Sequence, residues 1–255
     1  MIQPGMRIGA TMKSALVTGA NGDVGRALIG SLASRYELHL ATWQLAREMP
    51  PAELPAGSSI TCVDIQDVDA LTVAMKGMTA VVHLAGQREF AADWAELRGP
   101  NIDGVYNLFE AARRNNVAKV VYASSNHATG YLDEHCLWPI AGTEPPRPDS
   151  LYGVTKAFGE VFGRYASDYY GMSVICLRLG WVLERPHNEM ALRMWLSHDD
   201  LGRLVIAALE SANRYGVYFG VSANRRSRWD LTDAQRDLGY VPGDDSEQFA
   251  AELGL

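Results

Sequence analysis

The 255-residue chain is short of three things, and each shortage removes a class of protein. Cysteine occurs only as Cys62, Cys136 and Cys176, far apart and never as a Cys-x-x-Cys pair. That argues against a disulfide framework and a zinc site, so no metal is expected, and it fits a reducing cytoplasmic setting. Positive charge is in deficit: 23 Lys and Arg against 30 Asp and Glu leave a net charge of -7, with no basic stripe to neutralise a phosphate backbone. Nucleic acid is therefore not an expected partner. Long apolar runs are missing as well. No stretch approaches the ~18 consecutive apolar residues of a membrane span, so no membrane partner is expected. Residues 1–11 are too short and too weakly apolar for a signal peptide. They read as an N-terminal extension, with Met12 as an alternative start.

What remains is ample for a core. Hydrophobic residues make up 47% of the chain, which suits one large α/β domain over residues 12–255. Residues 14–25 read S-A-L-V-T-G-A-N-G-D-V-G: a short apolar run, three glycines separated by two residues each (Gly19, Gly22, Gly25), then Val24, Leu28, Ile29 and Leu32 at helical spacing. This is a strand, a tight turn and a helix. The first glycine lets the chain turn off the strand, the second lets backbone approach a pyrophosphate, and the third lets helix and strand pack closely. The helix N-terminus adds unpaired N–H groups and the positive end of its dipole. Asn21, Asp23 and Val24 belong to the same dinucleotide-binding turn.

Further strands are expected at 37–41, 59–63, 80–84, 119–123, 173–179 and 217–221, with helices between them, including 101–115 and 201–209. Apolar strands alternating with helices predict a doubly wound parallel sheet of the Rossmann type, followed by a small C-terminal portion. The second strand is expected to end at Thr42, where an NAD-binding domain usually carries an acid for the ribose hydroxyls. Two readings stand: Arg47 reaches a 2′-phosphate and the cofactor is NADP, or Thr42 alone hydrogen-bonds the ribose. Asp64 and Ile65 suit an adenine, the carboxylate accepting from the exocyclic amine while Ile65 covers a face; a helix cap is the other reading of Asp64. Leu84, Ala85 and Gly86 end the fourth strand with small residues that let a nicotinamide come close. His83 reads as a core histidine, and Ser197-His198-Asp199-Asp200 as a helix cap rather than a catalytic triad.

The fifth strand delivers Ser124, Ser125, Asn126 and His127 at its C-terminal end, where open α/β sheets bind ligands. Tyr152 and Lys156 lie four apart, on one face of the next helix.

T-G-A-N-G-D-V-G, Ser125 and Tyr152-x-x-x-Lys156 together resemble the extended short-chain dehydrogenase/reductase (NAD-dependent epimerase/dehydratase) superfamily. A-S-S-N-H-A-T-G-Y, R-P-D-S-L-Y-G-V-T-K, W-L-S-H-D-D and G-V-S-A-N are similar, more narrowly, to uronate dehydrogenases. That resemblance implies an NAD-dependent oxidation of a hexuronic acid at C1 to a lactone. It implies Tyr152 as general base, Lys156 and Ser125 as its catalytic companions, and Lys156 and Tyr152 also at the nicotinamide ribose. Asn126, His127 and Trp181 become substrate contacts, the substrate-binding elements fall mainly within 181–255, and a homodimer forms through helices 101–115 and 152–170. The chain departs from the pattern at Thr42 in place of an acid, at Trp181 in place of a small serine, and at Met190 in place of the arginine for the substrate carboxylate; Arg193, one turn on, is the substitute expected. Two other functions remain open: an epimerase or reductase of the same superfamily acting on another sugar or secondary alcohol, and an NAD(P)-binding redox sensor.

Overall fold

A computed structural model describes residues 13–43 and 54–255. The expectations for residues 1–11, Met12 and Arg47 fall outside them. Seven strands form one parallel sheet in the order β3-β2-β1-β4-β5-β6-β9. They are β1 Lys13–Thr18, β2 Tyr36–Thr42, β3 Ser59–Cys62, β4 Ala80–His83, β5 Lys119–Ser125, β6 Ser173–Leu179 and β9 Tyr215–Gly220. Two short strands, β7 Trp181–Val182 and β8 Trp195–Leu196, pair separately. β1 pairs on one side with β2 and on the other with β4, so strand order reverses there. Loops leaving the C-terminal ends of those strands diverge and open a crevice, the place where doubly wound sheets hold ligands.

Helices cover both faces, and the apolar strands divide their side chains between them. α1 (Asp23–Ala33) and α8 (His198–Glu210) bury Leu28, Leu32, Leu201 and Leu204 on one face, against Val17, Leu40 and Val82. α2 (Val68–Ala74), α4 (Gly104–Arg114) and α6 (Leu151–Tyr170) cover the other, with Leu71, Leu108 and Phe109 over Leu16, Val81 and Val120. A smaller apolar cluster joins Leu132, Ile140, Phe219 and Trp229 under the C-terminal segment.

Several boundaries move relative to the sequence reading. β5 runs two residues further, so Ser124 and Ser125 are its last strand residues. The helix expected from Asn101 begins with a wide π-type turn, Gly99–Asp103, before α4 proper. The final strand starts at Tyr215 and stops at Gly220. Ser197 caps α8, its hydroxyl accepting from the Asp200 N–H at 3.0 Å, and Asp200 is itself fully buried. The cap for α2 is Asp67; Asp64 instead closes a local turn by accepting from the Gln66 N–H at 2.9 Å. Among the described residues no helix is long and apolar enough to cross a membrane, and no group of three or more His, Cys, Asp or Glu is placed to hold a metal.

Candidate active site

The C-terminal ends of β1, β4, β5 and β6 surround a cavity of about 1110 Å³. Its floor begins with the glycine turn. Gly19 has φ +69°, a left-handed conformation open to glycine, and a Cβ there would lie 2.7 Å from the Ala85 N. Gly25 is needed for packing, since a Cβ would meet the Gly19 and Ala20 carbonyls at 2.6 Å. Gly22 is different: a Cβ would meet nothing of the protein but the Gly19 O, at 3.3 Å. The protein's own packing makes little demand for glycine at Gly22, yet the residue lines the cavity and starts α1 without a side-chain cap. Backbone left bare at a helix N-terminus fits an entering pyrophosphate. Asn21, Asp23, Val24, Asp64, Ile65, Leu84, Ala85 and Gly86 line the same cavity.

Thr42 does not. It is 2% exposed and sits behind the wall, and Trp43, the next residue, reaches the cavity in its place. Successive strand residues point to opposite faces, so the end of a strand offers one of two neighbours and not both.

The chemical end is assembled from β5 and α6. Ser125 ends its strand with the hydroxyl accepting from the His127 N–H at 3.2 Å, which turns the chain so that Asn126 and His127 also face the cavity. The first turn of α6 presses on this segment. A Cβ on Gly153 would lie 2.3 Å from the His127 O, and the Ser150 hydroxyl caps the helix by accepting from the Gly153 N–H at 3.0 Å. That contact brings the Tyr152 phenol into hydrogen-bonding reach of Ser125. Burial raises the Tyr152 pKa above 10, opposed by the Ser125 hydrogen bond and by the charge of Arg88. One turn on, Lys156 is 7% exposed and donates to the Ala123 O at 2.8 Å, with its ammonium 5.3 Å from the Tyr122 ring centre and 5.6 Å from that of Tyr152. With no carboxylate to offset the loss of water, burial brings its pKa down to about 8.

His127 is tied down from behind: its Nδ1 meets Asp149 Oδ2 at 2.8 Å, and its ring stands edge-on to Tyr152 at 5.9 Å. His83 lies in the core, 1% exposed, with its Nδ1 2.7 Å from the Thr18 hydroxyl and its ring stacked on Tyr122. Trp181 lines the cavity opposite, followed by Val182 and Leu183. These three are what residues 181–255 contribute, so that wall depends as much on the loop after β4, at Gln87, Arg88 and Glu89. Arg193 is a correction to the sequence reading. It lies on α7 (Glu189–Met194), outside the cavity, and its guanidinium pairs with Glu189 one turn back. The sequence reading missed Arg88 and Asp149. A cation two residues beyond Gly86 was the available signal for the first; nothing local marked the second.

Comparison with known proteins agrees with this geometry. Residues 15–187 match the model of the NAD dependent epimerase/dehydratase family. The uronate dehydrogenase of Pseudomonas putida is 38% identical over 242 residues, covering 93% of this chain and 87% of that one. The NAD-dependent glucose-6-phosphate dehydrogenase of Haloferax volcanii is 36% identical over 251 residues, covering 93% and 95%. The crystal structure of uronate dehydrogenase from Agrobacterium tumefaciens superposes with a TM-score of 0.85 at 34% identity, covering 95% of this chain and 89% of that one. With a glycine turn, a Ser125-Tyr152-Lys156 cluster and relatives of this kind over nearly its whole length, the chain belongs to the NAD dependent epimerase/dehydratase family, enzymes of the short-chain dehydrogenase/reductase type.

Proposed function

We propose that the protein oxidises the C1 hydroxyl of a hexuronic acid to the corresponding lactone, with NAD as acceptor. The observation that carries this reading is the meeting of Ser125, Tyr152 and Lys156 with the Gly19-Gly22-Gly25 turn around one cavity. A nicotinamide held over this cluster would supply the acceptor for the hydride that the carbinol carbon gives up. The chain supplies the rest. Ser125 holds the reacting oxygen, and Tyr152 removes its proton as general base. Lys156 orients the nicotinamide ribose, its ammonium 5.6 Å from the Tyr152 ring centre, while the charge of Arg88 favours the phenolate that burial disfavours. Asn126, His127 and Trp181 contact the sugar. Asp64 and Ile65 receive the adenine, and the ribose beside it is met at Trp43 rather than Thr42; one relative is named as NAD-dependent and another as using NAD(P), so NADP is the second cofactor to be assayed.

The test is reduced-nicotinamide absorbance with purified protein, glucuronate or galacturonate, and NAD or NADP in parallel. Turnover with NAD that falls by about 10²- to 10⁴-fold in Tyr152→Phe, while NAD still binds, is the expected result. Full turnover in that variant sinks the mechanism, and NAD binding without turnover on any sugar favours a sensor.

A homodimer is part of the same reading. α4 and α6 lie side by side and leave Tyr106, Val161, Tyr165 and Tyr169 exposed as an apolar strip, which a second copy would cover. Sedimentation giving a monomer at micromolar concentration would rule the dimer out.

A further inference from the structure

An acidic sugar needs a cation on the substrate side, and Arg193 is turned away from it. Among the described residues lining the cavity, the Lys and Arg side chains are Lys156 and Arg88. Lys156 is committed to the floor through the Ala123 O. Arg88 leaves the loop after β4 and crosses the cavity mouth to the carboxylate of Asp23, the first residue of α1. Both side chains of this pair stand largely in water, 69% and 70% exposed. Such a pair is weak and is exchanged easily when a better-shielded anion arrives. Arg88 also acts on the reacting end, since its charge is one of the two influences drawing the Tyr152 phenol toward ionisation against burial. A guanidinium offers a planar fork of donors that matches a carboxylate or a phosphate.

We infer that Arg88 is a specificity-determining residue, which leaves Asp23 to bind the anionic group of the sugar, a carboxylate or a phosphate, in the loaded cavity. The inference rests on the reading of the cavity as a sugar dehydrogenase site. It replaces Arg193 by a residue 105 positions earlier in the chain, and it makes the acid-sugar preference a property of the loop after β4. The bond is not used by a neutral sugar of the same ring.

The experiment is initial-rate kinetics at saturating NAD for the wild type, Arg88→Met and Arg88→Lys, with glucuronate, glucose 6-phosphate and glucose, together with NAD affinity and thermal unfolding of each protein. Arg88→Met is expected to raise KM for the acidic sugar, lowering its kcat/KM by about 10- to 100-fold beyond whatever loss glucose shows. Glucose loses only the common factor that the Arg88 charge contributes at Tyr152, so the ratio of kcat/KM on the acidic sugar to that on glucose falls by about 10-fold or more, and Arg88→Lys recovers part of that ratio, because a point charge keeps the attraction without the fork. Equal losses on charged and neutral sugars, or a higher KM for NAD with sugar dependence unchanged, would overturn the assignment; the second result makes the Arg88–Asp23 pair a cofactor latch. The wild type separates the two readings. Arg88-dependent oxidation of glucose 6-phosphate without any of glucuronate keeps the anion anchor and discards the hexuronate. Oxidation of glucuronate that survives Arg88→Met discards the anchor and keeps the hexuronate. Oxidation of glucose alone discards both.

Discussion

The Arg178 guanidinium and the Glu160 carboxylate meet in the interior, with Nη2–Oε2 2.8 Å and Nε–Oε1 2.9 Å, and with side chains 1% and 3% exposed. The pair ties α6 to β6, and the Ser124 hydroxyl joins it by donating to Glu160 at 2.6 Å. Tyr152, Lys156 and Glu160 are spaced by one helical step each, so what fixes Glu160 also fixes how α6 presents the other two to β5. Removing one partner leaves a buried charge. Glu160→Gln or Arg178→Met is expected to destabilise the fold by roughly 3–5 kcal/mol in chemical denaturation. Replacing Glu160, Arg178 and Ser124 together by apolar residues should come much closer to wild type; a triple variant as unstable as the single ones would contradict this account.

Lys156 sets function against stability. Its folded pKa of about 8 lies below the usual 10.5, so burying the ammonium opposes folding below pH 8, and the penalty is relieved as pH rises from 8 to 10.5. Lys156→Met should therefore abolish turnover and yet stabilise the cofactor-free protein at neutral pH, by at most about 3 kcal/mol. The gain should shrink as the pH is raised past 8. Melting curves between pH 6 and 10 measure this, and a loss of stability at pH 7 would contradict it.

His83 acts with the same sign in an acid window. Burial, with the charge of Lys156 adding to it, pushes its pKa from 6.5 to about 3. Between those values the unfolded chain binds a proton that the native one refuses, so stability falls with pH by about 1.4 kcal/mol per pH unit below 6.5. At pH 5 the accumulated loss is about 2 kcal/mol. His83→Phe, which keeps an aromatic ring beside Tyr122, should flatten that dependence when urea midpoints are compared at pH 7 and pH 5.

Gly22 and Gly25 separate two uses of glycine. Gly25→Ala places a Cβ 2.6 Å from two carbonyl oxygens and should destabilise the protein. Gly22→Ala meets little of the protein and should change stability by no more than about 1 kcal/mol, while NAD affinity falls by about tenfold or more. Titration of NAD against each variant, with melting curves alongside, distinguishes packing from ligand approach. Unchanged NAD affinity in Gly22→Ala would move the pyrophosphate elsewhere.

The sequence by itself determined whatever depends on near neighbours along the chain. Glycine spacing, apolar strand runs and the Tyr152-Lys156 interval each span a few residues, and backbone geometry translates them directly into a turn, a buried strand and one helix face. Tertiary structure decided what depends on residues distant in sequence. Thr42 is buried away from the cavity, and its neighbour Trp43 lines it instead. Asp149 reaches back to His127, and Arg88, on the loop after β4, lines the same cavity as Tyr152 of α6 from 64 residues away. A cation's role is set by the anion that folding places within its reach, and that distance is not written in any local pattern.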